Sequence, residues 1–275
     1  MTIKEMIKQH EIFLEDNRKG KRLAPLNEHI KDADFSGADL RFADFRYATL
    51  ENVNFSNANL TGAIFNNVKT KKVNFSNANV SYVSFTRASL AKANFADTHM
   101  LGTDFVCSKL MGAKFENSTA RTSLFIGADL SGADFSYAIM HKSGFIGAII
   151  KRTKFSYAVL INSGFDEAEI NDADFSHTDL TGTQWQGTYM SFNDFFGANF
   201  HNANLETAII KFTDMRRACL DDTCARNTQF YGCTLSHSTF VNSNIKWATF
   251  DHNCTLESVD FSGANMEHTN IGSGA

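Results

Sequence analysis

A single proline in 275 residues leaves the chain almost without the one residue that cannot donate to a backbone ladder, so extended parallel stacking can run through it uninterrupted. No apolar run approaches the length of a membrane-spanning helix. The opening MTIKEMIKQHEIFLEDNRKGKR is charged throughout, unlike a secretory leader. Five cysteines, an odd number, then argue for reduced thiols in the cytoplasm and against a disulfide framework. Cys219 and Cys224, five residues apart, cannot share a tetrahedral zinc without distortion. The chain also lacks a phosphate-binding loop, metal-ligand spacing, and any insertion long enough to wall a cleft. His177 and Asp179 stand close in sequence with no activated nucleophile beside them. These absences predict a non-enzymatic protein with no cofactor and no metal.

What the chain has is a phrase of five. From KDADF at 31–35 to KWATF at 246–250 there are 44 consecutive pentads, each ending on a centre that is nearly always large and apolar. One residue is then inserted, and the phase resumes at Leu256, Phe261, Met266 and Ile271. Two residues before each centre stands a small one, Ala, Ser, Thr, Cys or Val, with Asn193 the exception. A five-residue side ending in a tight turn lets one large and one small side chain point inward while three face water. Phe or Leu beside Ala then fills a narrow square core without voids.

These residues resemble the pentapeptide-repeat family, whose pattern is A-(D/N)-(L/F)-x-x. The resemblance implies an all-β fold, a right-handed quadrilateral parallel β-helix with 20 residues per coil. Residues 31–271 would form about 12 coils, a rod roughly 58 Å long at about 4.8 Å per coil. Centres at every tenth residue from 35 to 175 are Phe and those between are mostly aliphatic, which puts Phe stacks on two opposite sides. The alternation changes phase at Phe195 and Phe200, where the core is expected to repack. Thr70, Ala120 and Ala225 are undersized centres, each expected to mark a dent or kink. Residues 1–30 read as a capping helix and turn. Thr2 and Glu5 form a capping box, and Ile3, Met6, Ile7, Phe13 and Leu14 give an apolar face that covers the unpaired edge of the first coil. Residues 272–275 are a flexible tail. Cys233 and Cys254 both occupy the small inward position one coil apart, within disulfide distance, and they are expected as two buried thiols standing in for Ala, with a disulfide as the alternative.

Function must then lie on the outside. Wrapping the sequence at 20 residues puts Val106, Ile126 and Ile146 in one outward column with Leu124 beside them, at positions that are polar in the regular first coils. A stacked apolar column marks a contact patch. A second candidate combines Phe192, Phe212 and Phe196 with the acidic column Asp174, Asp194 and Asp214, aromatics ringed by charge. The last coil, with centres Met266 and Ile271, carries no cap, and a twofold partner covering it would give a homodimer.

Charge is uneven: residues 61–125 hold eight basic and three acidic groups, residues 126–275 nine and seventeen. The resemblance includes DNA mimics that bind gyrase and confer quinolone resistance. A duplex carries about one charge per 1.7 Å, so a mimic of this length needs roughly 34 negatives, whereas the solenoid nets −5. Mimicry is therefore expected only locally, over the acidic far half. The resulting expectation is a cytoplasmic protein-binding rod that modulates or inhibits a macromolecular partner such as a topoisomerase, nuclease or defence protein. It should touch neither membrane nor, directly, nucleic acid. The alternative, drawn from secreted members that the resemblance includes, is a translocated bacterial effector acting as a scaffold in a host cell.

Overall fold

Each pentad begins with a corner, and the corner explains the motif. From 31 to 250 the second residue of every pentad sits in the left-handed region, for example Asn57 at φ 61° and Gly62 at φ 69°, which is why Asn, Asp and Gly crowd this position. Two residues later an Asp or Asn turns its side-chain oxygen onto the N–H two positions ahead, as Asp34 does with Ser36 at 3.0 Å and Asn54 with Ser56 at 3.1 Å. This Asx turn shapes the next corner. The small third residue and the large fifth residue point inward and are almost completely buried.

The computed structural model describes residues 2–272, which form two compact units divided between Ala138 and Ile139. Both are parallel β-solenoid. In the first unit β1 (His29–Lys31), β2 (Thr49–Glu51) and β3 (Lys69–Lys71) pair in sequence order, 20 residues apart, with Ile30 on Leu50 and Leu50 on Thr70. In the second, β4 (Ile149–Lys151), β5 (Glu169–Asn171), β6 (Tyr189–Ser191), β7 (Ile209–Lys211), β8 (Gln229–Tyr231), β9 (Thr249–Phe250) and β10 (Asn270–Ile271) stack in turn. Only the last step is longer, Thr249 pairing with Asn270. The other sides are held by single bridges between coils, such as Asp34 to Asn54.

The core is an aromatic lattice. Phe35 stacks on Phe55 at 5.2 Å and Phe45 on Phe65 at 4.6 Å, while Phe35 meets Phe45 edge-on at 84°. Both geometries favour the ring quadrupoles. In the second unit the phase change is absorbed by the rings: Phe195 and Phe200 tilt at 53°, yet both N–H groups keep their bonds to the next coil at 2.7 Å. The undersized centres Thr70 and Ala225 likewise leave the ladder intact, with N–H bonds to Ser89 and Asn244 at 2.9 and 2.8 Å. The ladder runs past both, because it depends on main-chain register and not on side-chain volume. Asn193, the one large residue at a small position, accepts from the Ala173 N–H at 2.9 Å and donates to the Ile170 carbonyl at 3.3 Å, so its buried amide is satisfied.

The inserted residue is Asp251. Its Oδ1 accepts the Gly232 N–H at 2.8 Å, replacing the carbonyl that the shifted register carries away. Burial works against the Asp251 carboxylate, but the Gly232 N–H together with the hydrogen bonds from Asn253 and Cys254 outweighs it and holds the pKa below the usual range.

Helix α1 (Ile3–Glu15) begins with the expected capping box, Glu5 N–H to Thr2 Oγ1 and Thr2 N–H to Glu5 Oε2. Its apolar face is half-buried, and its one fully buried residue is His10. The loop that follows returns tightly at Gly20, where a Cβ would lie 2.4 Å from the Gln9 carbonyl oxygen. Residues 273–275, most of the expected tail, lie outside the described residues.

Candidate functional site

Outward side chains come from the first, second and fourth residues of each pentad, and the corner decides how far each projects. In the first unit Val106 and Ile126 open equivalent pentads, and the Cys107 N–H donates to the Ile126 carbonyl at 2.9 Å, so the two stand one above the other. Both are half-buried. Leu124 precedes the same corner as Ile126, pairs with Asp104, and is 39% exposed. These three residues are brought together as an apolar strip. Ile146 belongs to the second unit and is 41% exposed there, against Gly164, whose built Cβ would lie 3.9 Å from it.

The second candidate is divided by the structure. Phe192 and Phe212 stack at 5.2 Å on one corner, with φ of 58° and 50°. An aromatic residue in this region is strained by about 1–2 kcal/mol relative to its ordinary conformations. Phe212 also lies over Gly232, where a Cβ would meet its ring at 2.8 Å. The same device recurs in the first unit, where Phe42 covers Gly62 and Tyr82 covers Gly102. Phe196 is elsewhere. Its ring meets His177 edge-on at 5.4 Å and the guanidiniums of Arg216 and Arg217 at 5.7 and 5.9 Å.

Asp174, Asp194 and Asp214 do form a column, bridged coil to coil. They do not ring the aromatics, because each turns its Oδ1 to its own corner: Ser176 N–H for Asp174 and Phe196 N–H for Asp194, at 2.9 and 2.8 Å. Asp214 additionally holds Arg216 bidentately, Nη2 to Oδ2 at 2.6 Å. Burial works against the Asp214 carboxylate and Arg216 outweighs it, holding the pKa below the usual range. Arg216 also attracts the charge of Asp194, so the negative charge of the column is partly neutralised.

The charges nearest the aromatics are cations that the sequence reading missed. Lys211 Nζ lies 5.4 Å from the ring centres of both Tyr189 and Tyr231. Lys246 lies over Trp247 at 4.3 Å. Arg216, Arg217 and Phe196 with Ser236 and His237 line an open dish of about 560 Å³. Wrapping at 20 would have placed Lys211 beside Tyr231, so the signal was present.

At the last coil the packing loosens. Leu256, Phe261 and Met266 are half-buried and Ile271 is 38% exposed, whereas Ile245 and Phe250 one coil earlier are fully buried. Cys233 and Cys254 are free, buried thiols, donating to the carbonyls of Ile210 and Phe230 at 3.4 Å. Among the described residues no three potential metal ligands converge and no helix is long and apolar enough to cross a membrane.

A family model described as a pentapeptide repeat region matches residues 48–124, and one described as pentapeptide repeats matches 108–152, 145–182 and 173–211. No curated protein matches the chain. Among solved structures, HetL, a pentapeptide repeat protein involved in heterocyst differentiation regulation from the cyanobacterium Nostoc sp. strain PCC 7120, aligns at 17% identity over 100% of this chain and 99% of its own, with a TM-score of 0.34. QnrB1, a plasmid-mediated fluoroquinolone resistance protein, aligns at 19% identity over 89% of this chain and 90% of its own, with a TM-score of 0.37. Rfr23 from the cyanobacterium Cyanothece 51142 aligns at 18% over 49% and 95%, with a TM-score of 0.20.

Proposed function

The chain belongs to the pentapeptide-repeat family, and on that premise we propose that it is a non-enzymatic, protein-binding solenoid that modulates or inhibits a macromolecular partner such as a DNA-acting enzyme. The observation that carries this reading is the strip of Val106, Leu124 and Ile126. The first unit has Arg46, Asn66 and Thr86 at the positions equivalent to Val106 and Ile126 in earlier coils. Exposed leucine and stacked β-branched residues at such sites favour contact with another protein surface. The test is Ile126→Asp. The variant should melt within a few degrees of the parent, as outward substitutions usually do, and should lose a partner that the parent captures from its native cell. A partner retained at full affinity, or a variant that unfolds, defeats the reading.

Inhibition by partial DNA mimicry rests on the column of Asp174, Asp194 and Asp214. Reversing Asp174, Asp194 and Asp214 to Lys should abolish inhibition of a topoisomerase or nuclease, and inhibition by the parent should fade with added salt. The loosened last coil is the dimer surface of this reading. Light scattering should give a dimeric mass for the parent and a monomeric one after Met266→Lys and Ile271→Lys; a monomeric parent at tens of micromolar removes the dimer.

A further inference from the structure

Three successive coils of the first unit carry KTKKVN at 69–74, SLAKAN at 89–94 and KLMGAK at 109–114, six lysines and no acid. The backbone puts them on two adjoining sides and the corner between. Lys69 pairs with Ser89 and Ser89 with Lys109; Asn74 pairs with Asn94 and Asn94 with Lys114. Between these two rows runs the corner that carries Lys72 and Lys92, at φ 55° and 59°, both projecting outward. Lys92 continues onto Gly112, where a Cβ would lie 3.5 Å from its Cγ. All six lysines are exposed. Lys71 is paired with Glu51 at 2.8 Å, whereas Lys69, Lys72, Lys92, Lys109 and Lys114 have no carboxylate within ion-pair distance among the described residues. The acids lie at the margins: Asp97 and Glu116 at the next corner, Asp104 beside Leu124, and Asp129 and Asp134 in the following coil, bridged to Lys109 and Lys114.

We propose that this face docks the phosphate backbone of double-stranded nucleic acid. Charge complementarity is quantitative. Three stacked coils span about 10 Å, and a duplex presents about six phosphates in that length, against five unpaired ammonium groups. The groups between the lysines are Asn, Ser, Ala and Thr, with Met111 half-buried among them. A face without aromatic or arginine anchors is ill-suited to a protein hot spot, where lysine is depleted. It also has no apolar wedge to enter a lipid surface. Lysines are point charges without the fork that reads a base edge, so the contact is independent of sequence. The formal charge of −4 for the whole chain conceals this face by averaging it with the acidic second unit. The surface is distinct from the apolar strip, so Ile126→Asp leaves it intact.

Fluorescence anisotropy of a labelled DNA duplex of about 20 base pairs, titrated with full-length protein at about 50 mM salt, should report binding that weakens with a log–log salt slope of about −4.5, the value for five phosphate contacts. The variant Lys72→Asn, Lys92→Asn, Lys109→Asn uses a residue that tolerates the left-handed corner and already stands there at Asn52. It should keep its melting temperature, weaken binding more than tenfold at the same salt, and flatten the slope by about 3. Arg121→Ser removes basic charge from another side of the same coils and should leave binding within about twofold of the parent. The proposal is overturned by no binding at low salt, by an unchanged slope in the triple variant, or by equal loss in the arginine control. It is also overturned if anionic phosphatidylserine vesicles bind through the same lysines more tightly than the duplex.

Discussion

The Leu23 N–H donates to His10 Nδ1 at 3.0 Å, and this bond fixes the tautomer of the ring. With Nδ1 accepting, the proton sits on Nε2, which donates to the Arg41 carbonyl at 3.0 Å. His10 thus ties helix α1 to the chain entering the first coil and to the coil itself.

Protonation of His10 would set an N–H against the Leu23 N–H. Burial pushes its pKa down, the Arg41 carbonyl and Asp39 pull it up, and the charges of Arg22 and Arg41 push it down again; the net is below the usual histidine value. A group with a depressed folded pKa that gains a proton on unfolding favours the undocked state in acid. Docking of α1 should be fullest above about pH 6.5 and weaken as pH falls below that value, levelling off once the docked ring also protonates. Hydrogen exchange across residues 3–15, corrected for intrinsic rates, should accelerate from pH 7.5 to pH 5. His10→Ala should exchange fast at both pH values, and a pH-insensitive parent would contradict this role.

Gly232 is fixed twice, by its φ of +60° and by the ring of Phe212 at 2.8 Å from a would-be Cβ. Gly232→Ala should therefore cost about 1–2 kcal/mol, visible as a lower melting temperature. Phe212→Asn should cost less than about 1 kcal/mol, because Asn relieves the backbone strain while giving up ring stacking. If Phe212→Asn destabilises more than Gly232→Ala, the ring and not the corner carries the stability.

Asp251 holds the place where the coil lengthens. Asp251→Ala leaves the Gly232 N–H without its partner and should cost about 1–3 kcal/mol. Deleting Asp251 restores a 20-residue coil and should be milder than the alanine substitution. Thermal melts of the two variants decide between a carboxylate that repairs the ladder and an insertion tolerated passively. Because the folded pKa is depressed, the stabilisation is present above about pH 4 and lost as pH falls through the folded value.

The thiols should separate by burial. The hydrogen-bonded Cys254 neighbour, together with burial, pushes the Cys233 thiol up, so it stays protonated and inert at neutral pH. A small thiol reagent should label the exposed Cys107 in the folded protein and reach Cys233 and Cys254 only in denaturant. Native-state labelling of Cys233, located by peptide mapping, would show that these coils open.

The pentad by itself determined the solenoid: which residues face inward, where Phe columns stack, where the 21-residue step falls, and that Thr2 and Glu5 cap a helix. Each of these follows from the neighbours a residue has along the chain or from one fixed period. Wrapping at 20 also exposes the strip of Val106 and Ile126, and the same wrapping gathers Lys69, Lys72, Lys92, Lys109 and Lys114, which lie spread over three coils of chain. Three things needed the tertiary structure. His10 is polar and unpatterned in sequence, and its burial follows from how a non-repeating helix docks. The Asp174–Asp194–Asp214 column looked like a ring of charge around aromatics until the carboxylates were seen turned to their own corners, with Arg216 closing on Asp214. The small volumes of Thr70 and Ala225 are legible in the sequence, whereas the main-chain register that carries the ladder past them is set only when coil lies on coil.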